Sequence, residues 1–108
     1  MDLTDSTRGK WTVITVSGRI DATTAPRLDA ALQDAIRAGR MWLALDLAGA
    51  PYLSSAGLRV FLSALKAVQA GGGGMALAGL PDPVREVLEV AGFLTILPVV
   101  AGLPDLEP

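Results

Sequence analysis

Residues 41–47, MWLALDL, form a nearly unbroken apolar run, and this run constrains the fold more than any other stretch of the chain. It is short for a helix and the right length for a strand. A strand that is apolar on both sides must be covered on both faces, as in the middle of a parallel or mixed sheet. Parallel neighbours require crossover connections, so helical segments must flank it.

The flanks meet that requirement. Leu28, Ala31, Leu32, Ala35 and Ile36 recur at helical spacing ahead of the run, with Gly39 as the stop. Leu58, Phe61, Leu62, Leu65 and Val68 do the same behind it, and Gly71 to Gly74 end that helix. Asp82 and Pro83 open a third helix, whose apolar face is Val84, Val87, Leu88 and Ala91 and whose end is Gly92. Residues 3–6 read as a short edge strand, and Arg8-Gly9-Lys10 as a turn. Residues 11–17 (WTVITVS) and 75–80 (MALAGL) read as further strands, and residues 94–97 as a last one limited by Pro98. The predicted order is strand, strand, helix, strand, helix, strand, helix, strand. This is a single α/β domain over residues 1–100, with a mixed sheet of four to five strands packed against three to four helices. Residues 101–108 carry Pro104 and Pro108 and are expected to be a loosely ordered tail.

Composition narrows the chemistry. Apolar residues make up 51% of the 108, but aromatic ones only 5%, so the core must be aliphatic. There is no cysteine and no histidine. That removes disulfides, thiol nucleophiles, thiolate metal sites, and the commonest general base and metal ligand. No acid/base pair or nucleophile-plus-base pair is visible, so an enzyme is not expected, and neither a cofactor nor a metal is implied. The formal charge of −2 gives no basis for nucleic-acid binding. No apolar stretch reaches the ~18 residues of a membrane span, and no signal pattern opens the chain. A cytoplasmic protein without membrane insertion, monomeric or weakly dimeric, is expected.

Two loops could carry function. The first is Asp21-Ala22-Thr23-Thr24, a carboxylate with two hydroxyls ahead of a helix, where Thr23 or Thr24 is placed to cap and Pro26 suits the first turn. The second is Ser54-Ser55-Ala56-Gly57-Leu58, between the central strand and the next helix. Open α/β sheets place binding sites at such strand-to-helix loops. A serine there faces the free amides and positive end of a helix, which suit a phosphate. On local pattern alone a plain capping role is the stronger reading of either loop. The four glycines follow a helix and precede no Lys-Ser/Thr pair, so they are read as a helix stop and loop rather than a phosphate loop.

Three segments together resemble the STAS domain family, in its anti-sigma factor antagonist (anti-anti-sigma factor) form. They are residues 18–26 (GRIDATTAP) followed by Leu28 and Leu32, residues 45–60 (LDLAGAPYLSSAGLRV), and residues 83–93 (PVREVLEVAGF). The resemblance covers nearly the whole chain in order. It implies partner switching in transcription regulation: the antagonist binds an anti-sigma factor that is also a serine kinase. Phosphorylation of one serine ends the binding, and a phosphatase restores it. Aligned on Gly57-Leu58, the phosphoacceptor is Ser55, and Asp21, Thr23, Thr24, Ser54, Ala56, Gly57 and Leu58 are the partner-binding residues. In the commonest form of the motif an acidic residue precedes the acceptor; here that position is Ser54. The family also implies an alternative, a constitutive subunit of a phospholipid-transport ABC complex that binds its ATPase without a phosphorylation cycle.

Overall fold

The computed structural model describes residues 1–107. β1 (Asp2–Arg8) and β2 (Trp11–Ser17) form an antiparallel hairpin in full register, with Gly9 at positive φ in its two-residue turn. α1 (Ala25–Arg37), β3 (Trp42–Gly49), α2 (Ser55–Ala70), β4 (Gly74–Ala78) and α3 (Asp82–Val90) follow in strict alternation. A short 3-10 turn at Phe93–Thr95 leads to β5 (Val99–Val100). The sheet runs β1-β2-β3-β4-β5, and every pairing after the hairpin is parallel. The predicted α/β architecture is the observed one, and no helix among the described residues is long and apolar enough to cross a membrane.

The central run behaves as its composition requires. Leu43, Leu45 and Leu47 point into one buried cluster with Leu28 and Leu32 of α1, Phe61 and Leu65 of α2, and Val84 and Leu88 of α3. Each fully buried leucine of this kind contributes ~1.5–3 kcal/mol. Ala44, on the opposite face, belongs to a smaller cluster with Trp11, Val13, Ala76 and Leu106. All three helices therefore share one face of the sheet. Small side chains and a tryptophan pair, packed edge to face at 5.5 Å, make up the other.

Two expectations are corrected. Residues 94–97 do not form the last strand: Gly92, at positive φ, turns the chain into the 3-10 turn, and Leu97 is buried in the helix-side cluster. The strand starts after Pro98 instead. Pro98 has no amide to donate, but its carbonyl accepts from Leu77 N at 3.0 Å, as suits the start of an edge strand. The second correction concerns the segment from Ala101. It is not loose along its length: Leu103–Asp105 form a second 3-10 turn, and Leu106 is buried on the outer sheet face. There the Trp11 indole donates to the Glu107 carbonyl, and Arg8 Nη2 donates to Pro104 O at 3.4 Å. An otherwise uncovered apolar face draws the tail onto it. Pro108 of that tail lies outside the described residues.

The glycine run ends α2 as expected, and one of its members has a further reason to be there. A Cβ on Gly73 would lie 1.7 Å from the Met41 carbonyl oxygen, beside the point where Gly74 N donates to that same oxygen. Only glycine permits the entry of β4 alongside β3.

Candidate functional site

The β2–β3 pairing does not stop where the strands do. After a register shift between Thr15 and Ser17, Gly18 N donates to Gly49 O. An isolated parallel bridge then joins Ile20 to Leu53, with Ile20 N donating to Tyr52 O and Ser54 N to Ile20 O, both at 2.9 Å. Asp21 directly follows one bridge residue and Ser54 the other. The two loops singled out in the sequence are thereby held side by side at the carboxyl ends of two adjacent parallel strands, the usual position for a site in an open α/β sheet.

The first loop is tied into itself. Asp21 Oδ1 accepts from Thr23 N (3.0 Å), Thr23 Oγ1 (2.7 Å) and Thr24 N (3.2 Å), with Thr24 Oγ1 nearby at 3.3 Å. The Thr23 hydroxyl, together with the amides of Thr23 and Thr24 and the Thr24 hydroxyl, holds the Asp21 carboxyl below its ordinary value of 3.8, against a partial opposing effect of desolvation. Thr24 occupies the N-cap position of α1, but its hydroxyl makes no capping bond, contrary to the sequence expectation. With φ −104° and ψ −23° the residue is already helical. Its Oγ1 turns back to donate to Arg19 O at 2.8 Å and to accept from Asp21 N at 2.9 Å. The first-turn amides go to backbone carbonyls instead, Ala25 N to Asp21 O and Arg27 N to Thr24 O, while the amides of Thr23 and Thr24 bond the Asp21 carboxylate in an Asx-type turn.

The second loop divides its two serines. Ser54, extended at φ −93° and ψ 172°, is the N-cap of α2, and its Oγ accepts from Gly57 N at 3.3 Å. An aspartate at this position would cap equally well, so Ser54 keeps the geometry of the acidic form and drops its charge. Ser55 is the first helical residue, exposed, and its hydroxyl has no partner among the described residues. Ala56 is half-buried, and Gly57 is buried against the bridge. A Cβ on Gly57 would come within 2.5 Å of Leu53 Cδ1 and 2.7 Å of Ile20 Cγ2. Glycine is thus what lets the helix start sit directly on the bridge that joins the loops. Leu58 packs at the rim of the core and lines an apolar groove with Val87, Val90 and Ala91, bordered by Glu86; Val90 is 91% exposed.

Two residues of this surface were not singled out from the sequence. The Arg19 guanidinium lies over the Tyr52 ring, 4.1 Å from its centre, and Arg19 Nε is 3.8 Å from Asp21 Oδ2. Arg19 is two residues before Asp21, and Tyr52 two before Ser54. With Ile20 and Leu53 turned into the core, period-two alternation turns Arg19 and Tyr52 outward. That alternation was the available signal.

Comparison with known proteins follows the same lines. The STAS domain family model matches residues 3–105, five residues into the segment expected as a tail. BtrV of Bordetella bronchiseptica, described as an anti-sigma factor antagonist, is 39% identical over 84 residues, covering 78% of this chain and 72% of that protein. A Thermotoga maritima structure described as an anti-sigma factor antagonist superposes with a TM-score of 0.90 at 17% identity, covering 95% of this chain and 89% of the other. The Bacillus cell fate determinant SpoIIAA in its phosphorylated form superposes with a TM-score of 0.77 at 18% identity, covering 96% and 95%.

Proposed function

The chain belongs to the STAS domain family, and from that premise we propose that it is an anti-sigma factor antagonist whose binding to an anti-sigma factor serine kinase is switched off by phosphorylation of Ser55. One observation carries the reading. Ser55 presents a free, exposed hydroxyl at the start of α2, while Ser54 does the capping that would otherwise occupy it. The name of BtrV supports the general role, and the phosphorylated form of SpoIIAA supports a covalent switch on this fold.

The division of labour explains how such a switch would work without disturbing the fold. The kinase would transfer the γ-phosphoryl group of ATP to Ser55 Oγ, and the hydroxyl proton would pass to a base on the kinase. The antagonist itself performs no chemistry. The new group would add about −1.5 to −2 charge at one point of the surface. Inside the chain that charge meets the positive end of α2, where it is tolerated. At a close protein interface the same charge must be desolvated against a partner shaped for a neutral hydroxyl, so the complex separates. Hydrolysis of the phosphoserine by a phosphatase would return the binding form. Asp21, Thr23, Thr24, Ser54, Ala56 and Leu58 would line the partner contact around the hydroxyl, and the buried Gly57 would set the position of the helix start beneath it.

The test uses the purified protein as bait in its own cell extract, followed by incubation of the captured anti-sigma factor with ATP. Intact-mass and fragment analysis should place one phosphate on Ser55. Ser55→Ala should keep the complex and Ser55→Asp should lose it. Phosphate on Ser54 alone, or equal affinity of the two variants, would overturn the switch. Capture of an ABC transporter ATPase in place of an anti-sigma factor would replace the reading with the constitutive-subunit alternative.

A further inference from the structure

We infer that Arg19, stacked on Tyr52, is the residue by which this surface recognises a carboxylate on its protein partner. The inference deepens the functional reading above and rests on it. Its starting point is the unusual order of an exposed arginine. The side chain is 61% exposed, yet its guanidinium lies against the Tyr52 ring, and its Nε is 3.8 Å from Asp21 Oδ2, within ion-pair but not hydrogen-bond distance. A free surface arginine has about 2 kcal/mol of rotamer entropy to lose on binding. Here much of that ordering is already done, so an incoming oxyanion meets a preformed donor edge.

The contacts also select which edge remains. Asp21 takes the Nε side, at the long distance of 3.8 Å. The Asp21 carboxylate is itself committed, through Oδ1, to Thr23 and Thr24. The terminal nitrogens of Arg19 therefore keep their outer donors, the fork that matches a carboxylate. Tyr52, 38% exposed, presents the ring that carries the guanidinium three residues before Ser55 in the chain. Arginine and tyrosine are the residue types that most often dominate binding energy at protein interfaces.

The experiment measures affinity of the purified protein for the anti-sigma factor that the wild type captures, at low and high salt. Arg19→Gln should weaken binding roughly tenfold at low salt and flatten its salt dependence. Its melting temperature should match the wild type, because the residue is exposed. Arg19→Lys should recover only part of the loss, since an ammonium keeps the charge without the planar fork. A double-mutant cycle against Asp→Asn and Glu→Gln substitutions on the partner should find one carboxylate whose removal adds no further loss in the Arg19→Gln background. Wild-type affinity and salt slope in Arg19→Gln, with Ser55→Asp still unable to bind, would overturn this inference and leave the switch standing. Wild-type binding by Ser55→Asp would overturn the switch itself. Coupling that appears only with ATP bound, and to no partner carboxylate, would assign Arg19 to a nucleotide phosphate and overturn the carboxylate assignment.

Discussion

The two loops of the site sit side by side but are built in opposite ways. In residues 21–24 the Asp21 carboxylate gathers four contacts from Thr23 and Thr24, and the Thr24 hydroxyl is bonded on both sides. The loop's polar groups are largely consumed within it. In residues 54–58 one serine caps the helix and the next has no partner among the described residues. The first loop is a border that holds its shape, and the second presents a group for chemistry. A surface of this kind needs both, because a free hydroxyl is recognisable only if its surroundings do not move.

Gly57 is where the two loops touch, and breaking it should have the largest effect. Gly57→Ala drives a methyl group into Leu53 and Ile20, and overpacking of this sort costs typically 1–3 kcal/mol. Urea denaturation should show that loss together with weaker capture of the anti-sigma factor, because the helix start must lift off the bridge. Unchanged stability would mean that the bridge does not hold the loops together. Next in size is Ser54→Ala, which removes the cap of α2 and should cost ~1 kcal/mol. Ser55→Ala, one residue on, should stay within about 0.5 kcal/mol of wild type, because the hydroxyl bonds none of the described residues. Equal losses at the two positions would erase the division of labour between them.

The smallest effect sharpens the first loop alone. In the folded protein the Asp21 carboxyl should titrate below 3.8, followed by carboxyl carbon NMR, and Thr23→Ala should bring it back toward that value. The sign follows from linkage: a carboxylate whose pKa is lowered by folding adds stability above its unfolded value and loses it as pH falls through the folded one. Protection of the Thr23 and Thr24 amides, taken relative to the intrinsic exchange rate at each pH, should therefore fall in that acidic window. A titration at or above 3.8 would mean that the loop does not bond to its own carboxylate in solution.

Much of this was legible in the chain. The apolar run at residues 41–47 required cover on both faces and has it, with helices on one side and Trp11, Val13 and Leu106 in the cluster on the other. The three helices follow their apolar periodicity, and Gly71 and Gly92 mark two of the stops. The capping of α1 was misread because serine and threonine propensities do not say which way a hydroxyl turns once the residue itself is helical. The last strand was misplaced because residues 94–97 and 99–100 are both short and apolar, and only the free amide of Leu77 across the sheet selects between them.

Periodicity and punctuation are local, since they depend on neighbours two to four residues away. For that reason the alternation of strands and helices, the aliphatic core and the two candidate loops can be read from the chain alone. Tertiary structure alone decided that Ile20 meets Leu53, that Ser54 rather than Ser55 caps α2, that Arg19 lies on Tyr52, and that Leu106 closes the outer face. Three of these four are contacts between residues far apart in the chain. The serine assignment depends on where the pairing of β2 and β3 ends, which no local pattern records.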